Sequence, residues 1–292
     1  MIELGTIKRA VAVGLWGWAM WVGACAAETN RPDLWFPVGE RLVYKVYWGF
    51  IPVGYVVTTS EWIEEDGRTL LAIRIKTKSN AVIEKLYPVE DYLETIVDPV
   101  SFLPVRFTKK LSEGRYTAHQ QTTFDHKNLT AHWEALDEDD DREETFPIEA
   151  DTRDLISLMY KIREDGFDQD TELNYRVMAD EKMYDMIIQP GREEKVALSL
   201  YGKVDAIKIE PQGKFQGLFI RKGRMWVWVT KDKRCLIAKV AARVPVASVN
   251  IVLLDVSGPG DDSWIAGKQG EIEDAEALFI EKSKQDKEQD KK

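Results

Sequence analysis

Apolar and polar residues alternate along most of the chain from position 40 onward, and turn sequences interrupt the alternation at short intervals. This pattern is typical of β-strands that bury one face, and short strands at this spacing form antiparallel sheets. We therefore predict a mainly β fold. The predicted strands cover residues 42–48, 55–62, 69–77, 91–97, 103–111, 115–124, 129–134, 172–178, 182–188, 194–200, 204–211, 223–230, 235–243 and 248–256.

Three neighbouring strands can be placed in register from the sequence alone. If residues 112–115 and 125–128 form the tips of two hairpins, the side chains of the three strands fall consistently onto two faces. The apolar face carries Val105, Phe107, Leu111, Tyr116, Ala118, Phe124, Leu129, Ala131 and Trp133, of which Phe107, Phe124 and Trp133 are expected to be buried. The polar face carries Arg106, Thr108, Lys110, Thr117, His119, Gln121, Thr130 and His132, of which Lys110, His119 and His132 are expected to be largely exposed.

One helix is predicted in the middle of the chain. Asp151 or Thr152 can cap its start, apolar residues recur at helical spacing over 155–162, and Gly166 can end it. A second, shorter helix is predicted over residues 81–86.

The predicted strand over residues 223–230 is apolar on both faces, which indicates that both faces are covered. Its Trp226 and Trp228 point to one side, and Val227 and Val229 point to the other. Together with Trp48 of the first strand, Trp226 and Trp228 are candidates for lining a ligand cavity of a curved sheet. The alternative is ordinary core packing, because tryptophan is also the largest core filler.

Composition narrows the range of functions. The 292 residues include 50 acids and 40 bases, and the net charge of −10 disfavours nucleic acid as a partner. With three histidines and two cysteines the chain lacks a Cys/His zinc module, and no metal or cofactor is expected. The usual hydrolase and nucleotide-binding motifs are also absent, so the sequence favours a non-enzymatic protein.

The two ends of the chain differ from the body. Residues 1–27 combine two early basic residues with an uncharged run over 10–24, which predicts a signal peptide and export to the periplasm. Two processing routes stay open: cleavage after an Ala-x-Ala pattern, or lipidation of Cys25, which would make an outer-membrane lipoprotein with a lipid anchor. Residues 267–292 are almost wholly charged and are predicted to be a disordered tail.

Several short motifs follow one another along the chain. They are Gly39-Glu40-Arg41-Leu42-Val43-Tyr44, Gly49-Phe50-Ile51-Pro52-Val53-Gly54, Tyr92 to Val97 with Asp98-Pro99, Leu103-Pro104-Val105-Arg106, Asp154-Leu155-Ile156-Ser157 with Tyr160 and Arg163, Gly223 to Trp228, and Thr230-Lys231-Asp232-Lys233-Arg234. Their order resembles domain-of-unknown-function family 3108, exported proteins of Gram-negative bacteria. The resemblance covers about residues 36–257, which we take as a single domain. It implies a large, strongly curved antiparallel sheet, a half-barrel or partly open barrel, with one main helix packed on it. It implies no catalytic residue or cofactor.

The sequence therefore favours an exported cell-envelope protein that binds a ligand or partner in the concavity of the sheet. Lipid, lipoprotein acyl chains and glycan strands are the candidate ligands, held mainly by apolar contact. The alternative is a structural or assembly factor that contacts other envelope proteins through its sheet surface, and an unrecognised hydrolase is a more distant one.

Overall fold

The computed structural model describes residues 31–137, 139–167, 172–179, 182–213, 224–244 and 247–259. The predicted signal peptide with Cys25 and the predicted charged tail lie outside these residues. Within them the chain forms fourteen strands and one helix, α1 (Leu155–Asp165). The strands are β1 (Arg41–Trp48), β2 (Ile51–Glu65), β3 (Arg68–Ser79), β4 (Glu90–Val97), β5 (Pro104–Glu113), β6 (Tyr116–Asp125), β7 (Thr130–Ala135), β8 (Glu143–Pro147), β9 (Leu173–Ala179), β10 (Lys182–Leu198), β11 (Gly202–Gly213), β12 (Arg224–Thr230), β13 (Ile237–Val244) and β14 (Ala247–Ser257).

All fourteen strands belong to one antiparallel sheet, as the alternation pattern predicts. Their order is β8-β7-β6-β5-β4-β3-β2-β1-β14-β13-β12-β11-β10-β9. Every two strands paired in the sheet are consecutive in sequence except β1 and β14. The sheet is not closed, because β8 and β9 form its two edges. This confirms the predicted mainly β fold with a curved, open sheet.

The sheet curls around α1. The helix packs against Leu71 and Ile73 of β3 through Ile156 and Tyr160, and against β9–β12 through Leu158. Strands β3 and β9 are far apart in the sheet order, so one helix can contact both only if the sheet bends around it. The face that carries α1 is therefore the concave face.

The N-cap of the helix lies two or three residues beyond the predicted one. Its N-cap is Asp154, whose Oδ1 accepts hydrogen bonds from the backbone N–H groups of Ile156 (2.7 Å) and Ser157 (3.0 Å). The prediction of Asp151 or Thr152 as the cap was wrong. Asp154 fits better because the Oγ1 of the buried Thr95 in β4 donates to its Oδ2 at 2.6 Å, which ties the helix start to the sheet. Gly166 ends the helix, as predicted.

The register predicted for β5–β7 is confirmed with one exception. Phe107, Thr122 and Trp133 lie opposite one another across the three strands. Phe124 and Trp133 are buried as predicted, but Phe107 is only half-buried, and Tyr116 and Leu129 of the predicted apolar face are exposed. Val105 does not share this face, because the pairing of β4 with β5 shifts between Ile96 and Val97. Val105 packs instead against the cluster on the other face that contains Ile96.

Three further local predictions were wrong. Residues 81–86 form turns rather than a helix. The acidic stretch after β7 leads into an unpredicted edge strand, β8, which pairs with β7. The segments predicted as two strands over 182–188 and 194–200 are one long strand, β10, whose register shifts between Pro190 and Glu193. Gly191 permits this, since a Cβ there would lie 2.2 Å from the carbonyl oxygen of Lys208.

Candidate functional site

Strand β12 separates the core of the protein from an open groove. Val229 and Val227 lie opposite Ile207 and Ile209 of β11, and all four belong to or pack against the cluster around Leu158 of α1. The tryptophans of β12 face the other way, because successive residues of a strand point to opposite sides. On that side Trp228 is buried in a second core cluster with Val196 and Leu198, whereas the groove leaves Trp226 half-exposed. The prediction that this strand is covered on both faces is therefore confirmed at Trp228 but not along its whole length.

The groove lies on the face of the sheet opposite α1 and has a volume of about 350 Å³. Trp228 forms its floor with only 8% of its surface exposed, and Trp226 is half-buried beside it. Strands β11 and β13 flank the two rings, since Lys208 and Lys239 pair with Trp228 on either side and Ala241 pairs with Trp226. The lining residues are Lys208, Trp226, Trp228, Ala241, Ala242, Arg243 and Ser248.

Cationic side chains alternate with the two indole rings along the groove. The Lys208 Nζ lies 5.6 Å from the ring centre of Trp226 and 5.0 Å from that of Trp228, so it stands between them. The Lys239 Nζ lies 4.9 Å from the Trp228 ring. The guanidinium carbons of Arg224 and Arg243 lie 5.1 Å and 5.8 Å from the Trp226 ring. Each contact has cation–π geometry, so the rings help to hold the four cations in place.

Two carboxylates partly neutralise these cations. Glu210 Oε2 accepts a hydrogen bond from Trp226 Nε1 at 3.1 Å and pairs with Arg224, and the Arg224 hydrogen bond lowers the pKa of Glu210. Glu194 Oε2 accepts from Trp228 Nε1 at 2.7 Å, which lowers the pKa of Glu194, and its Oε1 lies 3.5 Å from Lys208. Both carboxylates are therefore ionised at neutral pH. Four cations against two carboxylates leave the groove positive by two charges in a chain whose net charge is −10.

Trp48, the third predicted lining residue, does not join the other two. Strand pairing places it in a row with Val249, Ala242 and Met225, whereas Trp226 belongs to the adjacent row, which faces the other side. Trp48 is 45% exposed at the end of β1. The structure thus brings together Trp226 and Trp228 but not Trp48.

A buried ionic centre on the helix side of the sheet was missed by the sequence analysis. Glu40, immediately before β1, is fully buried and accepts hydrogen bonds from Arg163 of α1 and from Arg234 of the β12–β13 turn. The Arg163 Nη2 and Arg234 Nη2 lie 3.1 Å and 2.8 Å from Glu40 Oε2. The Arg163 guanidinium also lies 4.7 Å from the ring centre of Tyr160.

The sequence does contain a pattern that could have indicated this centre. Ile156, Tyr160 and Arg163 follow at the spacing of one helix face, and all three are buried. A charged residue on the buried face of a helix requires a buried partner of opposite charge. Burial opposes the charge of Arg163, yet the neighbouring Glu40 raises the pKa of the guanidinium above its ordinary value, so Arg163 is charged.

The described residues offer little sign of catalytic chemistry. They contain no cluster of three or more histidine, cysteine, aspartate or glutamate side chains that could hold a metal ion. Burial raises the pKa of the Cys235 thiol, and its Sγ donates to the carbonyl oxygen of Asp232 at 3.4 Å. The thiol is therefore a poor nucleophile at neutral pH. In the part of the chain that the structure describes, α1 is too short and too polar to cross a bilayer.

Comparison with known proteins decides the family. The family model described as protein of unknown function (DUF3108) matches residues 43–253. The chain belongs to this family. The match confirms the resemblance that the ordered motifs indicate. The matched residues include Trp226 and Trp228 of the groove and the two arginines, Arg163 and Arg234, that bind Glu40, whereas Glu40 itself lies just before them. No curated protein matches the chain.

A solved structure shows a similar fold. It is the crystal structure of a β-barrel-like protein of domain of unknown function DUF1849 from Brucella abortus. The match has a TM-score of 0.51, covers 75% of this chain and 97% of that one, and the two sequences are 9% identical. At this identity the likeness concerns the fold alone. It agrees with the curled antiparallel sheet found in this DUF3108 protein.

Proposed function

We propose that this DUF3108 protein is an exported, non-enzymatic binding protein of the cell envelope, and that the groove around Trp226 and Trp228 binds an anionic ligand. The predicted signal peptide over residues 1–27 supports export to the periplasm. Both processing routes agree with such a role, with either a free protein or one anchored through Cys25 to the outer membrane.

The observation that carries the proposal is the row of cations held against two tryptophan rings in an open groove. Lys239 and Arg243 reach the groove without a carboxylate opposite them in strand register, since β14 places Val252 and Ser248 there. An anionic group can add to these two cations without displacing a protein carboxylate. Oriented cations of this kind attract phosphate and carboxylate groups.

The geometry changes the ligand class that the sequence favoured. An apolar ligand stacking on Trp226 or Trp228 would have to displace Lys208, Lys239 or Arg243 from the rings, whereas an anion strengthens the same arrangement. The concave face, where a cavity was expected, carries α1 and the clusters packed around it. The ligands that fit the groove are the phosphate groups of lipids and the carboxylates of acidic glycans.

The test is isothermal titration of the protein with matched charged and uncharged probes. Dihexanoyl phosphatidylglycerol is compared with dihexanoyl phosphatidylcholine, and an oligogalacturonate is compared with a neutral oligosaccharide of equal length. We expect at least one anionic probe to bind and its neutral or zwitterionic counterpart to bind about tenfold or more weakly, a difference that high salt removes.

A variant pair ties the binding to the groove. Changing Lys239→Gln with Arg243→Gln should weaken binding of the anionic probe about tenfold or more, since two charge-assisted contacts are lost. Changing Lys127→Gln with Lys203→Gln removes the same charge from exposed positions outside the groove and should leave the affinity within about twofold. Equal losses in both pairs, or no binding of either anionic probe, would exclude the groove as an anion site.

A further inference from the structure

Three loops at one end of the strands expose apolar side chains next to one another. They are the β1–β2 turn with Phe50, the β3–β4 connection over residues 80–87, and the β5–β6 turn with Tyr116. Because the strands run up and down in sheet order, these alternate connections lie side by side along one rim. We call this surface the apolar rim. It consists of Trp48, Phe50, Ile51, Val82, Leu86, Tyr87 and Tyr116.

Contacts between the loops hold the apolar rim together. The backbone N–H of Asn80 donates to the carbonyl oxygen of Val53 at 2.9 Å, which joins the second loop to the first. The backbone N–H of Gly114 donates to the carbonyl oxygen of Pro88 at 2.7 Å, which joins the third loop to the second. The ring of Tyr87 lies so close to Gly114 that a Cβ there would be 2.7 Å away from it. The rim is therefore one continuous surface.

Three purely apolar side chains protrude furthest from the rim, with Phe50 90% exposed, Leu86 80% and Val82 71%. The fourth, Ile51, and the amphipathic aromatic residues are less exposed, with Ile51 at 49%, Tyr116 at 54% and Trp48 at 45%. Monomeric proteins leave single apolar residues exposed at random, but a contiguous set of this size marks an interaction surface.

We propose that the apolar rim docks into the boundary between headgroups and acyl chains of a lipid bilayer. Apolar side chains that protrude furthest, with tryptophan and tyrosine behind them, match the order of polarity across that boundary. The exposed cations Lys85 and Arg115 flank the rim and can meet lipid phosphates. A fluid lipid phase accepts side chains from three separate loops without a matching pocket, which a protein partner would need.

The apolar rim is separate from the start of the described chain and from the groove. Arg31, the first described residue, lies over Trp62, and Trp62 pairs with Leu71 toward the end of β2 opposite Ile51. The rim also contributes none of the residues that line the groove.

The first test is flotation of the full chain with vesicles of phosphatidylethanolamine and phosphatidylglycerol. Changing Phe50→Ser with Leu86→Ser should lower the partition into vesicles, roughly tenfold for each side chain removed. The matched control is Val100→Ser, because Val100 is 83% exposed in the β4–β5 turn at the opposite end of the strands. This control should bind as the unchanged chain does, and a similar loss in the control would overturn the proposal.

The second readout is local, because the apolar segment 10–24 can itself bind lipid. A polarity-sensitive fluorophore is attached through Phe50→Cys or through Val100→Cys in a chain that carries Cys25→Ser and Cys235→Ser. Vesicles should shift its emission to the blue at position 50 and leave it unchanged at position 100. No shift at position 50 would overturn lipid docking. A shift that appears without vesicles as the protein concentration rises would also overturn it, and would indicate that the rim binds a second copy of this chain.

Discussion

The two faces of the sheet combine cations with aromatic rings in opposite ways. On the concave face Arg163 and Arg234 converge on one buried carboxylate, Glu40, and α1 covers them. On the other face Lys208 and Arg243 line an open groove over the rings of Trp226 and Trp228, and Lys239 lies against the Trp228 ring. The first arrangement is closed and internally paired, whereas the second is open and carries excess positive charge.

This difference separates a structural role from a binding role. A buried arginine must be paired inside the protein, since unpaired burial of a charge is prohibitively costly. A cation at an open groove keeps water or a ligand as its partner, and therefore stays available for recognition. Both faces draw on one stretch of chain, because β12 and the turn after it supply the groove tryptophans and Arg234 in succession.

The largest effect is expected at the buried centre. Changing Glu40→Gln leaves Arg163 and Arg234 without their carboxylate and should lower the free energy of unfolding by about 3–5 kcal/mol. Urea denaturation measures this change. The control is Glu61→Gln, which weakens the exposed pair with Arg74 and should cost less than about 1 kcal/mol. A loss below about 1 kcal/mol at Glu40 would mean that this centre does not hold the helix to the sheet.

The tryptophans of the groove should respond unequally to truncation. Trp228 is buried, so Trp228→Ala should lower the free energy of unfolding by about 3 kcal/mol. Trp226 is half-buried, and Trp226→Ala should cost only about 1 kcal/mol while it weakens binding of the anionic probe. The same denaturation series checks both. If Trp226→Ala lowered the free energy of unfolding more than Trp228→Ala, Trp226 rather than Trp228 would form the floor of the groove.

The smallest effect is expected at Asp91, a half-buried carboxylate that faces Glu113 instead of an arginine. Burial, together with the nearby Glu113, raises the pKa of Asp91 to about 6, against the lowering effect of the hydrogen bond from the backbone N–H of Ser112. The folded state therefore binds this proton more tightly than the unfolded state, so Asp91 destabilises the fold increasingly as the pH rises from about 4 through 6. Asp91→Asn should raise Tm at pH 7.5 and have little effect at pH 4. A Tm difference independent of pH would contradict this assignment.

Local patterns predicted the features that depend on local geometry. Alternation along β12 correctly placed Trp226 and Trp228 on one side and Val227 and Val229 on the other. The same alternation, checked across two hairpins, gave the register of β5–β7. Such features follow from the period of a strand, which the sequence shows directly.

Features that depend on distant pairing were not predictable in this way. Glu40 lies 123 residues from Arg163 and 194 residues from Arg234, and no local pattern joins them. The sequence analysis grouped Trp48 with Trp226 and Trp228. Whether Trp48 shares a face of the sheet with them depends on the pairing of β1 with β14, of β14 with β13, and of β13 with β12. Strand β8 was missed because its residues are mostly exposed at a sheet edge and show no apolar alternation.

The most direct test of the account is to identify what the protein carries when it is purified from its host envelope. The chain and its Lys239→Gln/Arg243→Gln variant are isolated in parallel at low salt, and the bound molecules are extracted and analysed by mass spectrometry. We predict that the unchanged chain retains an anionic lipid or acidic glycan and that the variant loses it. Equal retention by both proteins, or a retained molecule without negative charge, would contradict the assignment of the groove as an anion-binding site.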